Sequence, residues 1–410
     1  MNQASASSLA TKPGLAMRQD ALVIGLVSSA HLISHFSQLL LPPLFPWLKD
    51  AFHASYAKLG FLMAVFFGVS CAVQTLSGFL VDRFGPRPVL LGGLTLLTIG
   101  ALGYAFSQSY AMLMFFVLVS GLGNGVFHPV DYTLINRRVS APRLGHAYSA
   151  HGISGNLGWA SAPALLVPVA MASSWRKAIL VAALVMFLVL LALWFNRRHL
   201  RLPETAQEPK QHASSQSPAL FAFLRLPALW ISFSFFLFVG IALGIVQAFA
   251  PEAARQLHGT PLALVAFCLS AYMLTAVVGM VLAGFLASDP IRSEKMVALG
   301  YTGAAIISLA LALAPLPSHT IPALFGILGF VNGIAGPARD FLIKRATPTQ
   351  ASGRVYGVIY SGLDIGQAVS PLMFAWLMDA GHYSALFIGL AGVQLILVLN
   401  ARRMMAYVRA

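Results

Sequence analysis

Charge is what this chain has least of. Asp, Glu, Lys and Arg make up 9% of its 410 residues, against roughly 25% in an ordinary soluble domain, which is too few to cover the surface of a soluble fold of this length. Cysteine is nearly absent as well. Cys71 and Cys268 each sit inside an apolar run, so neither a disulfide framework nor a cysteine zinc site is suggested. No Lys is followed by Ser or Thr, which removes the P-loop lysine that a nucleotide-driven pump requires. The polar segments are too short to house a separate catalytic domain. A signal-peptide core is also missing. Ala4 to Gln19 is small, polar and weakly basic, so it reads as a cytoplasmic tail, with the first apolar run serving as the insertion signal.

What the chain does have is apolar length. Hydrophobic residues make up 58% of it, and they fall into blocks of about 18–25, the length that crosses about 30 Å of hydrocarbon as a helix. Twelve blocks are predicted, at 21–46, 57–81, 87–107, 109–136, 144–171, 176–196, 227–250, 261–287, 295–315, 319–344, 353–378 and 383–401. The net charge of +14 invites a nucleic-acid reading, but its distribution argues against one. Of the 26 Lys and Arg, 20 fall on the side of the termini, five fall on the other side, and Arg339 lies within a helix. That bias is the positive-inside pattern. It predicts a multi-pass protein of a bacterial inner membrane with both termini cytoplasmic, surrounded by lipid and binding no nucleic acid.

The longest polar stretch, 197–226, follows the sixth block and reads as a cytoplasmic linker. It divides the chain into a tail at 1–20, a first six-helix bundle at 21–196, a second at 227–401 and a tail at 402–410. The two bundles repeat one another. At an offset of 208 residues, Gly121–Pro163 and Gly329–Pro371 align without a gap and share 12 of 43 positions. The shared residues include Asn124/Asn332, Pro129/Pro337, Arg137/Arg345, Tyr148/Tyr356 and Gly158/Gly366, which shared hydrophobicity does not produce by chance. An offset of 209 pairs Gln38 with Gln247 and Pro42 with Pro251. Two parallel six-helix repeats are an architecture of transporters that rock about a midplane site.

The loop after the second block reads GFLVDRFGPRP. Its Gly78, Asp82, Arg83, Gly85 and Arg87 match the Gly-x-x-x-Asp-Arg-x-Gly-x-Arg pattern of the major facilitator superfamily, which the chain resembles over essentially its whole length. The second-half counterpart, GFLASDPIRSEK, is degenerate, with the acid displaced to Asp289. Phe127-His128-Pro129, the run from His31 through LPPLFPWL, Ser55-Tyr56 and Leu59-Gly60 resemble the fosmidomycin-resistance branch of efflux proteins. The chain departs from that branch at Val130 and at Ser34-His35. The resemblance implies an all-α membrane protein of twelve transmembrane helices in two pseudo-symmetric six-helix bundles, with the first, fourth, seventh and tenth helices lining a central cavity. It also implies that Asp82 faces the N-terminus of the eleventh helix and cytoplasmic arginines, locking one conformation, and that Asp82, Arg83 and Arg87 are switch residues.

Polar groups inside the predicted spans are expensive, about 2.5–3.5 kcal/mol for a charge at mid-helix on insertion scales, and are therefore functional candidates. Ser28, His31, His35 and Gln38 form one stripe along the first span, with His31 and His35 one turn apart on a single face. Such a pair titrates near neutral pH, packs as neutral imidazoles, or binds a metal; we expect no metal and no cofactor. The fourth span carries Asn124, His128 and Asp131, and the tenth carries Asn332, Arg339 and Asp340. The repeat places Asp131 and Arg339 at equivalent positions with opposite charge, so they are expected to form a closure contact unless Asp340 neutralises the arginine. In the eleventh span, Tyr356, Tyr360, Asp364 and Gln367 share a face, with Asp364 near the helix middle. The glycines at 152, 155 and 158 suggest close helix packing.

The predicted substrate contacts are His31, His35, Gln38, Asn124, His128, Gln247, Asn332 and Arg339. Asp131, Asp364, His31 and His35 are the proton-coupling candidates, and Asp82, Arg83, Arg87, Asp131, Arg339 and Asp340 the gating ones. The leading expectation is proton-coupled efflux of a small polar or anionic compound by a monomer, with proton-coupled uptake of an organic anion as the alternative. No catalytic residues are expected, although His128, Asp131 and His151 are the types from which a membrane-embedded acid–base enzyme is built. A receptor or passive channel is the remaining reading.

Overall fold

The computed structural model describes residues 13–202, 225, 227–284, 290–346 and 353–409. Among them regular structure is entirely helical: α1 (Pro13–Gln38), α2 (Phe45–Phe52), α3 (Tyr56–Phe84), α4 (Pro86–Phe106), α5 (Tyr110–Asn124), α6 (Phe127–Arg138), α7 (Leu144–Ala172), α8 (Trp175–Phe195), α9 (Pro227–Ala248), α10 (Ala250–His258), α11 (Leu262–Gly284), α12 (Pro290–Leu313), α13 (Ile321–Ala346), α14 (Gly353–Asp379) and α15 (Tyr383–Arg409). Short 3-10 turns punctuate them.

Ten stretches among the described residues are long and apolar enough to cross a membrane. The remaining two of the twelve spans are α7 and α14, with 29 and 27 residues. Their length is sufficient, but Gly, Ser, Asn, His, Tyr and Asp dilute their hydrophobicity.

Several boundaries differ from the sequence reading. The first helix begins at Pro13, ahead of position 21, and α15 continues to Arg409, so residues 402–409 are helical. The fourth span, expected as one helix over 109–136, is two, α5 and α6. Proline explains the break. Pro129 has no N–H to offer the carbonyl four residues earlier, and that carbonyl, Gly125 O, accepts instead from Ser77 Oγ at 3.1 Å. The predicted linker is described only at its two edges.

The repeat is visible in the elements. In each half the first long helix ends at a kink and a short helix follows, α1 with α2 and α9 with α10, at the places where Gln38/Pro42 and Gln247/Pro251 recur. Within the first half α1 packs on α7, and α4 on α5 and α8; within the second α9 packs on α14, and α13 on α11 and α12. The halves meet where α3 lies against α14 and α7 against α11.

At the end opposite the chain termini, called here the far end, the halves are closed on one another. Asp379, the last residue of α14, accepts from the Tyr56 and Ala57 backbone N–H groups at 2.7 and 2.8 Å. The Tyr56 hydroxyl donates to Glu252 at 3.2 Å, and Glu252 also takes a two-pronged bond from Arg255 at 2.7 Å. Gly60 lies against Pro371, Ala375 and Phe249, and a Cβ there would come within 3.1–3.2 Å of all three. A small cleft of about 40 Å³ lies between Pro42, Pro163, Gln247 and Leu269.

Candidate functional site

The site is built around one carboxylate. Asp131 on α6 is fully buried, and a buried charge needs hydrogen-bonding partners. It finds two imidazoles: His31 Nδ1 of α1 donates to Asp131 Oδ2 at 3.0 Å, and His151 Nε2 of α7 donates to the same oxygen at 3.1 Å. Asp131 Oδ1 and His35 Nδ1 are buried without a hydrogen-bond partner. The rings stack as a group. His31 and His151 centroids are 3.5 Å apart, His31 and His35 4.4 Å, and His31 and His128 5.3 Å. His35 also lies over Trp159 at 4.2 Å.

Small residues make this crowding possible. A Cβ on Gly155 would sit 2.9 Å from His35 Nδ1 and 3.0 Å from His31 Nε2, and one on Gly158 would sit 2.3 Å from Leu32 O. These two glycines let α7 press onto α1, and that approach packs the histidine rings against the helix backbone.

A second polar layer sits beside the first. Asn124 Oδ1 accepts from Ser34 Oγ at 2.8 Å and from Gln38 Nε2 at 3.3 Å, while Asn124 Nδ2 donates to Ser70 Oγ at 2.8 Å. Trp159 Nε1 donates to Gln38 Oε1 at 2.9 Å. Gln38 and Asn124 are thus buried in a hydrogen-bond network within the first half.

From this cluster a chain of bonds crosses to the second half. His128 Nδ1 donates to Gln74 Oε1 at 3.0 Å, and Gln74 Nε2 donates to Asp364 Oδ2 at 2.8 Å. Gln74 is on α3 and Asp364 on α14, so one amide joins the histidine cluster to the mid-helix acid across the interface. The kink at Gly125 permits it: a Cβ there would approach Ser70 O to 2.5 Å, so α3 and the start of α6 lie close enough for His128 to reach Gln74.

The structure brings together His31, His35, His128, Asp131 and His151, and ties Asp364 to them through Gln74. It does not bring every expected residue there. His31 and His35 are buried among α1, α6 and α7. Gln247 accepts from Gln367 Nε2 at 3.2 Å and lines the small far-end cleft. Asn332 donates to Leu328 O of its own helix at 2.9 Å. Asp82 is exposed at the α3–α4 connection, where Gly85 turns the chain at φ +80°; Arg83 rests over the Phe84 ring and Arg87 lies near Trp194 and Arg197. Arg339, Asp340 and Tyr356 fall within helices, but their side chains lie outside the described residues, as does Asp289 altogether. Gln74, Asp379 and Glu252 went unnoticed in the sequence. Asp379 and Glu252 lie at helix ends, where charge is ordinary, and Gln74 has no repeat signature.

A membrane protein of two repeated six-helix halves, closed at one end and joined at mid-depth by a polar chain, is a transporter in architecture. The family model for the Major Facilitator Superfamily matches residues 27–338, and the chain belongs to that family. Relatives agree. The probable sulfoacetate transporter SauU of Cupriavidus necator (strain ATCC 17699 / DSM 428 / KCTC 22496 / NCIMB 10442 / H16 / Stanier 337) is 23% identical over 400 residues, covering 89% of each chain. The fosmidomycin resistance protein of Escherichia coli (strain K12) is 27% identical over 182 residues, 43% of this chain and 44% of that one. The uncharacterized MFS-type transporter YfnC of Bacillus subtilis (strain 168) is 29% identical over 209 residues, so the chain spans 50% of its length. Among solved structures, a bacterial homolog of the human lysosomal transporter Spinster, described as inward-facing and occupied, has a TM-score of 0.71 at 14% identity, covering 95% of this chain and 96% of that one. That likeness shows the fold.

Proposed function

We propose that this protein is a proton-coupled secondary transporter that exports a small polar or anionic compound across a bacterial inner membrane, with both termini in the cytoplasm. The observation that carries the coupling is the chain Asp364–Gln74–His128. It joins the only mid-helix acid of α14 to the imidazole cluster of the other half, so that a proton gained or lost by Asp364 changes what Gln74 must bond and hence the fit of the two halves. Coupling of transport to a gradient requires such a link between a titrating group and a rocking interface. The lysine and arginine bias supports the orientation, and the resistance role in the E. coli relative's name supports export.

The test is transport by purified protein in proteoliposomes. Asp364→Asn is expected to retain substrate exchange, which moves no net proton, and to lose accumulation driven by a pH gradient. Loss of both activities in a well-expressed variant overturns the assignment. Uptake of an organic anion is the second reading, favoured by the 89% coverage of a probable sulfoacetate transporter. A deletion strain separates the two: export predicts gained sensitivity to the compound, uptake predicts lost growth on it.

A further inference from the structure

We propose that His31, His35 and His128 form a binding site for a divalent transition-metal ion of the zinc type. The sequence displays only two of the three ligands, His31 and His35, which is too few to hold an ion. The fold adds the third by kinking the fourth span so that His128 faces them.

Three features make this a built site. First, the ligand atoms of the three imidazoles lie within 4.8 Å of one another. Zinc–nitrogen bonds of about 2.0–2.1 Å in a tetrahedron put the nitrogens about 3.3 Å apart, so a pair at the 4.8 Å limit closes by about 1.5 Å through ring rotation. Second, a ligand nitrogen is unclaimed. His35 Nδ1 is buried with no partner, and it shares with His31 Nε2 the space above Gly155, where a Cβ would lie 2.9 and 3.0 Å from them. Third, the outer nitrogens are already engaged. His31 donates through Nδ1 to Asp131, and His128 donates through Nδ1 to Gln74 Oε1. Metal-bound histidines characteristically give their other N–H to a carboxylate or carbonyl, which fixes the tautomer and turns the free lone pair toward the ion. Both Nε2 atoms are left as ligands in this way.

The alternative set, His31 with Asp131 and His151, competes less well because His31 Nδ1 and His151 Nε2 are already satisfied by hydrogen bonds to the Asp131 carboxylate. Three imidazole nitrogens suit zinc, and also cobalt(II), nickel(II) and copper(II). The ion joins α1 to α6 and fixes His128 in the tautomer that bonds Gln74.

The experiment uses the full chain, purified without a polyhistidine tag and stripped with a chelator. Equilibrium dialysis against zinc chloride is expected to give one ion per chain. His35→Ala and His31→Ala each abolish that ion, whereas His319→Ala, on an exposed loop, retains it. Asp131→Ala and Gln74→Leu, which remove the outer hydrogen bonds, weaken affinity about 10–100-fold. A direct readout guards against misfolded variants: cobalt(II) bound to wild-type protein gives the visible absorption of a tetrahedral nitrogen site, and this band disappears on zinc addition. No stoichiometric zinc in the wild type, or zinc and cobalt binding that survive His35→Ala in a monodisperse preparation, overturns the proposal.

Discussion

Asp364 and Asp131 show how a single side chain acquires a role from what reaches it. Each stood out in the sequence as an acid in hydrocarbon, and each is where mid-helix cost predicts a partner. The partners were only partly legible. His31 and His151 are visible as polar residues in apolar runs, but their meeting on one carboxylate oxygen depends on the packing of α1, α6 and α7. Gln74 gave no signal because a neutral amide in a helix is unremarkable until its two ends are both bonded. Its role leads to a double-mutant prediction. If Gln74 and Asp364 act as one unit, the ratio of gradient-driven transport to exchange falls in Gln74→Leu, and Gln74→Leu combined with Asp364→Asn falls no further than Asp364→Asn alone. Independent, multiplicative losses in the same proteoliposome assay dissociate the pair.

Among the elements, α7 is the one whose composition most needed the fold to interpret it. Its glycines announced close packing, and the structure distinguishes among them by what lies opposite. Gly155 and Gly158 press onto α1, whereas nothing lies within 4 Å of a Cβ on Gly152. The same polar and glycine-rich character that lets one face of α7 pack on α1 removes it from the set of strongly apolar helices, so hydropathy undercounts the spans where polar side chains concentrate. Gly158→Ala puts a methyl 2.3 Å from the Leu32 carbonyl and forces α1 and α7 apart. Overpacking of this kind costs about 1–3 kcal/mol, so thermal unfolding in detergent is expected at lower temperature. Gly152→Ala is expected to match the wild type. Equal melting of the two variants contradicts the packing assignment. The kink between α5 and α6 was missed for a related reason: Pro129 was in view, but the hydroxyl of Ser77 that takes up the released carbonyl belongs to another helix.

At the scale of the whole molecule, α3 and α14 run antiparallel across the interface, so each presents its N-terminus to the C-terminal end of the other. The far-end pairing is explicit: Asp379 closes α14 and accepts the first two N–H groups of α3, the unsatisfied donors at the positive end of a helix. Asp82 occupies the matching position near the end of α3, and the resemblance of its loop to the superfamily motif leads us to propose that it meets the N-terminus of α14 in another state. Rocking halves must release one end contact to open that end, and we propose that the two acids stabilise opposite states. Hydrogen bonds to a charged group contribute about 1.5–3 kcal/mol, which is enough to shift a two-state population roughly tenfold. Labelling of a buried far-end cysteine reads that population. With Cys71 and Cys268 replaced by Ser, Leu269→Cys places a thiol at the far-end cleft, where Leu269 is 3% exposed. An impermeant thiol reagent added to intact cells reaches it only when the far end opens, on the orientation proposed above. Asp379→Ala is expected to raise the labelling rate about tenfold, and Asp82→Ala to lower it, because each removes the contact that holds one state. If Asp379→Ala leaves the rate unchanged while the protein remains folded and inserted, the far-end cap holds neither half in place and the closure resides in the apolar packing around Gly60.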